Sequence, residues 1–216
     1  MNIAILGTGN VGQTIGSKLI ALGHNVRMGS RTATNEKAAA WVTASGERAS
    51  AGTFADAAAF GEIIFNCIGG MVTLDALRSA GAANLSGKLL IDISNALDFS
   101  KGFPPTLSVC NTDSVGEQIQ REFPDALVVK TLNTVNCVLM VNPSLLPGDH
   151  DIFMSGNDAN AKAKVREILT DWFGWRVVID LGDITTARGA EQLLPIWVRL
   201  MSAFGSPQFN FHIVRA

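Results

Sequence analysis

Three glycines near the start of the chain, in Gly7-Thr8-Gly9-Asn10-Val11-Gly12, have the spacing G-x-G-x-x-G. An apolar run, Asn2-Ile3-Ala4-Ile5-Leu6, precedes them and a helix-forming stretch follows. In that strand–loop–helix context the spacing makes a phosphate cradle. The first glycine permits a tight turn, the second lets backbone approach a pyrophosphate, and the third lets the helix pack closely on the strand. The free N–H groups of the helix start, at the positive end of its dipole, then face the anion. Gly7, Thr8, Gly9, Asn10 and Val11 are the expected contacts.

A second signal stands at the end of the next strand. A site for an unphosphorylated dinucleotide places Asp or Glu there, to accept from the ribose 2′-hydroxyl. This chain reads Arg27-Met28-Gly29-Ser30-Arg31-Thr32, with no acid. Ser30 can donate to a 2′-phosphate. Arg31 can pair with that phosphate and lie against the adenine. A carboxylate at this place would repel the dianion, so its absence weighs as much as the arginine. Lys37 is a weaker second cation. The expected cofactor is NADP(H).

The chemistry at the far end of such a cofactor is harder to assign. Reduction of a carbonyl needs a proton donor beside it. The chain has no tyrosine, which excludes a Tyr-x-x-x-Lys pair. Its three histidines, His24, His150 and His212, lie far apart, and Cys67, Cys110 and Cys137 match neither a zinc site nor a redox pair. No metal and no catalytic acid or base is assigned. A ring acceptor of the flavin kind fits better, because it needs little enzymatic proton transfer and catalysis then rests on stacking two rings.

Short apolar runs alternate with alanine-rich helical segments, which implies an α/β fold of Rossmann type, doubly wound around a mainly parallel sheet. Strands are expected over 2–6, 25–28, 62–68, 88–93, 126–132, 151–155 and 176–181. Helices are expected over 11–22, 34–45, 54–60, 72–80, 114–123 and 157–173, with one long helix over 183–204 carrying Pro195 inside it. The alternating apolar residues of 209–213 read as an extended tail docked on one face. Residues 1–140 form the expected NADP-binding domain. Residues 141–216 form a small C-terminal lobe that completes the acceptor cleft. Phe209 and Phe211 point to lobe packing or a homodimer surface, the four tryptophans to packing, and Asp92 to a buried, hydrogen-bonded carboxylate.

With 216 residues, 47% hydrophobic and 17% charged, the chain can bury a real core. A formal net charge of −2 with no basic run argues against nucleic acid and acidic membrane surfaces as partners. No apolar stretch reaches spanning length, and the start lacks the basic region of a signal peptide. A cytoplasmic protein acting on a small-molecule hydride acceptor is the expectation.

The chain resembles the coenzyme F420-dependent NADP oxidoreductases and, more loosely, the cytosolic reductase domain of the six-transmembrane metalloreductases. The resemblance rests on the opening glycine motif, Gly29-Ser30-Arg31, Lys130-Thr131-Leu132-Asn133-Thr134 and Glu191-Gln192-Leu193-Leu194-Pro195. It implies direct hydride transfer between NADPH and a deazaflavin stacked in a cleft. Carried over by position, Thr8 to Val11 hold the pyrophosphate and Ser30-Arg31 the 2′-phosphate. Ile68, Gly69, Asn95 and Leu97 line the cofactor, and Asn133, Thr134 and Val135 lie near the reacting rings. Asn133 stands where the archaeal deazaflavin-using members carry histidine, so a free flavin or a quinone is an alternative acceptor. Imine or carbonyl reduction and a non-catalytic NADPH-sensing module are the competing readings.

Overall fold

The computed structural model describes residues 1–216. The chain order is β1 (Asn2–Leu6), α1 (Asn10–Ala21), β2 (Asn25–Ser30), α2 (Glu36–Ser45), β3 (Ala49–Thr53), α3 (Phe54–Phe60), β4 (Ile63–Asn66), α4 (Gly70–Ala80), α5 (Ala82–Leu85) and β5 (Leu89–Asp92). A small hairpin, β6 (Leu97–Asp98) and β7 (Thr106–Leu107), follows. Then come α6 (Val115–Glu122), β8 (Leu127–Thr131), α7 (Cys137–Val141), β9 (Asp151–Gly156), α8 (Ala159–Glu167), β10 (Val177–Gly182), α9 (Ala187–Gln192) and α10 (Leu194–Phe204).

Eight strands make one sheet in the order β3-β2-β1-β4-β5-β8-β9-β10. All neighbours are parallel except β8 and β9, which pair antiparallel through Thr131 and Met154. The chain winds outward from β1 to β3, then crosses back to β4 and winds the other way. The order therefore reverses between β1 and β4, and the loops leaving those two strands diverge to open a crevice.

Alternation along each strand builds a core on both faces. Ile3, Ile5, Phe65, Ile91 and Val129 meet α1, α2, α7 and α8, where Ile15, Trp41, Leu139 and Val165 are buried. Ala4, Leu6, Ile64, Leu90 and Val128 meet α3, α4 and α6, where Ala57, Leu77 and Ile119 are buried. The strand residues are thus fixed in register, and their carboxyl ends form one rigid rim.

Several expectations change in detail. The helix expected over 183–204 is broken into a 3-10 turn at Ile184–Thr186, α9 and α10. Pro195 sits in the first turn of α10, where its missing N–H costs nothing, so the break falls before it, at Leu193. The helix over 157–173 ends its regular part at Glu167 and closes with a π-helical turn at Ile168–Trp172. Strand β3 was not anticipated, because Ala49-Ser50-Ala51-Gly52-Thr53 has no apolar run; the hairpin, α5 and α7 are too short to show a period. Residues 141–216 contribute β9 and β10 to the same sheet. The tail takes no regular structure but docks at the start of β9: Asp151 N donates to Phe211 O at 3.0 Å and Asn210 Nδ2 to Asp151 O at 2.8 Å. Phe209 packs on Trp197 and Phe204.

Candidate functional site

The glycine loop follows β1. Gly7 takes φ +116°, and a Cβ there would come 2.8 Å from the Cys67 carbonyl oxygen. Its N–H donates to Gly29 O at 3.0 Å, locking the loop to β2. At Gly12 a Cβ would overlap the Gly7 carbonyl oxygen, so glycine lets α1 seat against the loop. A Cβ at Gly9, by contrast, would meet no protein atom within 4 Å. Packing does not require glycine there.

Asn35, Thr53, Ser114, Asn136 and Asp158 close the first turns of α2, α3, α6, α7 and α8 with side-chain hydrogen bonds. Helices α1 and α4 begin at Gly9 and Gly69 without one. So do α5, α9 and α10, but the starts of α1 and α4 are the two at the crevice, and their dipole ends face the same space, with Gly70 N of α4 already donating to Asn95 O at 3.0 Å.

Two connected cavities occupy this crevice. The larger, about 640 Å³, is lined by Gly7, Thr8, Gly9, Ser30, Arg31, Asn35, Phe54, Cys67, Ile68, Gly69 and, along α4, Val72, Asp75, Ala76 and Ser79. Ser30 is buried, and its hydroxyl donates to Thr32 O at 2.5 Å, so in this conformation it shapes the turn that presents Arg31. Arg31 is exposed at the rim. Lys37 is not brought here: it lines a separate groove between α1 and α2 with Gln13, Ser17 and Trp41.

The second cavity, about 360 Å³, shares Cys67, Ile68, Gly69 and Val72 with the first and continues past Val11, Met71, Ile93, Ser94, Asn95, Leu97 and Phe99. Its walls are mostly apolar and carry no Asp, Glu, His, Lys or Tyr. Burial, and then the nearby Asp92 carboxylate, pushes the Cys67 thiol well up from its ordinary value, so it stays protonated. Met71, Val72 and Phe99 are each more than half exposed and form an apolar lip.

Asn133, Thr134 and Val135 follow β8 and are buried, and none of the three lines this cavity. Leu132 adopts φ +61°, a left-handed turn that swings the next residue back toward the β5 loop. Asn133 Nδ2 then donates to Asn95 Oδ1 at 3.0 Å and to Ala190 O at 3.2 Å, while Asn95 Nδ2 donates to Asn133 O at 2.9 Å. Asn133 thus meets the cavity through Asn95.

Lys130 is fully buried at the end of β8. Its ammonium lies 2.8 Å from Asp92 Oδ2 and 2.8 Å from Glu191 Oε1, and donates to Ser94 O at 2.5 Å. Asp92 is the buried, hydrogen-bonded carboxylate expected from the sequence. It accepts from Asn66 Nδ2 at 2.7 Å and from Ser94 N at 3.2 Å. Sequence reasoning missed Cys67, Met71, Val72, Ile93, Ser94, Phe54 and Asn35 as lining residues. For Cys67, Ile93 and Ser94 the signal was positional, since each lies just past the carboxyl end of β4 or β5; Met71 and Val72 stand in the first turn of α4, Phe54 follows the edge strand β3, and Asn35 caps α2.

Residues 2–96 match the family described as NADP oxidoreductase coenzyme F420-dependent. A solved structure from Arthrobacter sp. FB24, a candidate F420-dependent NADP reductase, is 52% identical, with a TM-score of 0.93 and 99% of both chains covered. Metalloreductase STEAP3 of Rattus norvegicus is 28% identical over 204 residues, which span 90% of this chain and 37% of the relative. Human metalloreductase STEAP2 is 30% identical over 110 residues, half of this chain and 20% of the relative. The chain therefore spans well under half the length of the curated relatives it matches. An imine reductase from Streptomyces aurantiacus shares the fold at 19% identity and a TM-score of 0.67, covering 94% of this chain and 64% of that one.

Proposed function

This chain belongs to the coenzyme F420-dependent NADP oxidoreductase family and is an NADP-dependent oxidoreductase; on that premise we propose that it passes hydride between NADP(H) and a deazaflavin, coenzyme F420, or a flavin-like ring. When bound, NADP(H) supplies the hydride at its nicotinamide. The chain's own residues bind, orient and exclude water. The N–H groups from Thr8 to Val11 hold the pyrophosphate, and Gly9 leaves room for it. Ser30 and Arg31 hold the 2′-phosphate. Ile68, Gly69, Asn95 and Leu97 line the nicotinamide end, with Asn133, Thr134 and Val135 buttressing that wall.

The observation that carries this reading is the second cavity: apolar, continuous with the phosphate cradle, and free of any side chain suited to moving a proton near neutral pH. Imine or carbonyl reduction needs a proton donor beside the reacting atom, and the only titratable group in this wall is the Cys67 thiol, held protonated by burial. Transfer to a ring needs only alignment and a dry contact. The apolar lip of Met71, Val72 and Phe99 suits the face of a planar acceptor.

No helix is long and apolar enough to cross a membrane. Three free cysteines support a cytoplasmic setting. Exposed Ile196, Phe204 and Ile213 support a homodimer, which sizing chromatography checks. The deciding experiment is an acceptor screen that follows NADPH absorbance with coenzyme F420, riboflavin, FMN and a soluble quinone. Turnover with a ring acceptor supports the reading. Oxidation of NADPH only by an imine or aldehyde refutes it.

A further inference from the structure

Directly behind the Ser94–Asn95 wall of the apolar cavity lies the buried cluster of Lys130, Asp92 and Glu191, to which the hydride reading gives no part. Its protonation follows from its partners. Asp92 accepts from Asn66 Nδ2, Ser94 N and Lys130; Glu191 accepts from Lys130, from Val115 N at 2.9 Å and from Gly116 N at 3.0 Å. The Lys130 ammonium and the backbone N–H groups of Ser94, Val115 and Gly116 all donate to these two carboxyl groups, an arrangement that favours the carboxylate form of both. The ammonium is likewise satisfied by three oxygens. Two negative charges therefore face one positive charge, and the start of α6 adds roughly half a positive charge. The cluster remains net negative, and it reaches the cavity through Ser94, whose N–H it binds at one end and whose carbonyl it binds at the other.

We infer that Asp92 and Glu191 set the preference of this site between the two oxidation states of its cofactor, favouring the cationic oxidised nicotinamide over the neutral reduced one. The inference rests on the proposed placement of the nicotinamide in the apolar cavity. No charged side chain lines that cavity; the cluster behind its wall sets a negative field against the positive one of the α1 and α4 starts, and a buried field is weakly screened. NADP⁺ and NADPH differ only at the ring, so the change in their affinity ratio when a charge of the cluster is removed reports the field at that ring. A site that binds the oxidised form more tightly makes the reduced form a stronger hydride donor. Glu191 and Asp92 act across Ser94 without touching the cofactor, and are positioning residues in an electrostatic sense.

A purely architectural role for Glu191, which also ties α9 to the start of α6, makes a different prediction: all ligands weaken together. The test is equilibrium binding of NADPH, NADP⁺ and 2′,5′-ADP, the last lacking the ring, to the wild-type chain and to Glu191→Gln. Loss of the charge raises the Kd of NADP⁺ about tenfold relative to NADPH and leaves 2′,5′-ADP within about twofold. An unchanged NADP⁺-to-NADPH ratio, or equal weakening of all three ligands, overturns the inference. If Glu191→Gln does not fold, Asp92→Asn takes its place in the same three-ligand comparison, with the same result expected and the same results overturning the inference. A wild-type chain that binds 2′,5′-ADP but shows the same Kd for NADPH, NADP⁺ and the ring-free probe instead refutes the placement of the ring.

Discussion

Asn95 and Asn133 hold each other across the rim of the sheet: Asn95 Nδ2 donates to Asn133 O at 2.9 Å, and Asn133 Nδ2 returns a bond to Asn95 Oδ1 at 3.0 Å. One residue lines the apolar cavity and the other is buried behind it. Truncation of Asn133 to alanine leaves Asn95 Oδ1 and Ala190 O without that donor, which costs about 1–3 kcal/mol of stability. The freed Asn95 also loosens the cavity wall. Asn133→Ala should therefore slow turnover with a ring acceptor while leaving 2′,5′-ADP affinity unchanged. Chemical denaturation and parallel kinetic and binding assays check both halves.

Two glycines of one loop should respond in opposite ways. At Gly12 a methyl group collides with backbone, so Gly12→Ala loses about 1–3 kcal/mol of stability or more. At Gly9 a methyl group meets no protein atom, so Gly9→Ala folds with a stability change under about 1 kcal/mol. It nonetheless loses NADPH affinity, by about 1–3 kcal/mol, because the intruding carbon occupies the pyrophosphate's place. Thermal melts with and without NADPH separate the two cases.

Arg31 is exposed at the mouth of the larger cavity. Arg31→Ala should weaken NADPH by about 1–3 kcal/mol, the range for a charge-assisted contact, and spare NADH. Competitive binding of the two reduced cofactors is the measurement, and equal losses for both would contradict the 2′-phosphate assignment.

Lys130 gives the fold an alkaline limit. Burial works against its charge, but Asp92 and Glu191, with their hydrogen bonds, outweigh burial and hold the ammonium's pKa above its ordinary value. A raised folded-state pKa means stability that is fully present below the unfolded value of about 10.4 and is lost as pH rises through the folded one. The melting temperature should be insensitive to this group from pH 7 to 9 and fall in strongly alkaline solution. Lys130→Met leaves two buried carboxylates uncompensated and should cost about 3–5 kcal/mol near neutral pH. The variant should also lose that share of the alkaline decline.

What the sequence made legible was what is local. The glycine loop lies within six consecutive residues, and the absence of an acid after β2 can be read in place. The strands β1, β4, β5 and β8 announce themselves because both faces are buried and the apolar run is continuous. Strand β3 hid because it lies at the sheet edge and is built from small residues. The break before Pro195 was misjudged because a proline in the first helical turn and one in the interior look alike in a string of letters. Lys130 showed only as the first residue of the Lys130-Thr131-Leu132-Asn133-Thr134 motif. Its meaning depends on Asp92, 38 residues upstream, and on Glu191 in α9. Asn133 belonged to a legible motif, but its orientation depends on the left-handed turn at Leu132, which no leucine advertises.

Five helices close their first turns with their own side chains, whereas α1 and α4, the two that start at the crevice, do not. Such a pair of helix starts discriminates by charge and size before it discriminates by chemical identity. Sulfate or inorganic phosphate in a buffer is therefore a competitor for the same amides, and rates measured in phosphate will understate the enzyme. On the proposed binding mode, selectivity for a whole dinucleotide would come from the two ends of the crevice, Arg31 at one rim and the apolar cavity at the other.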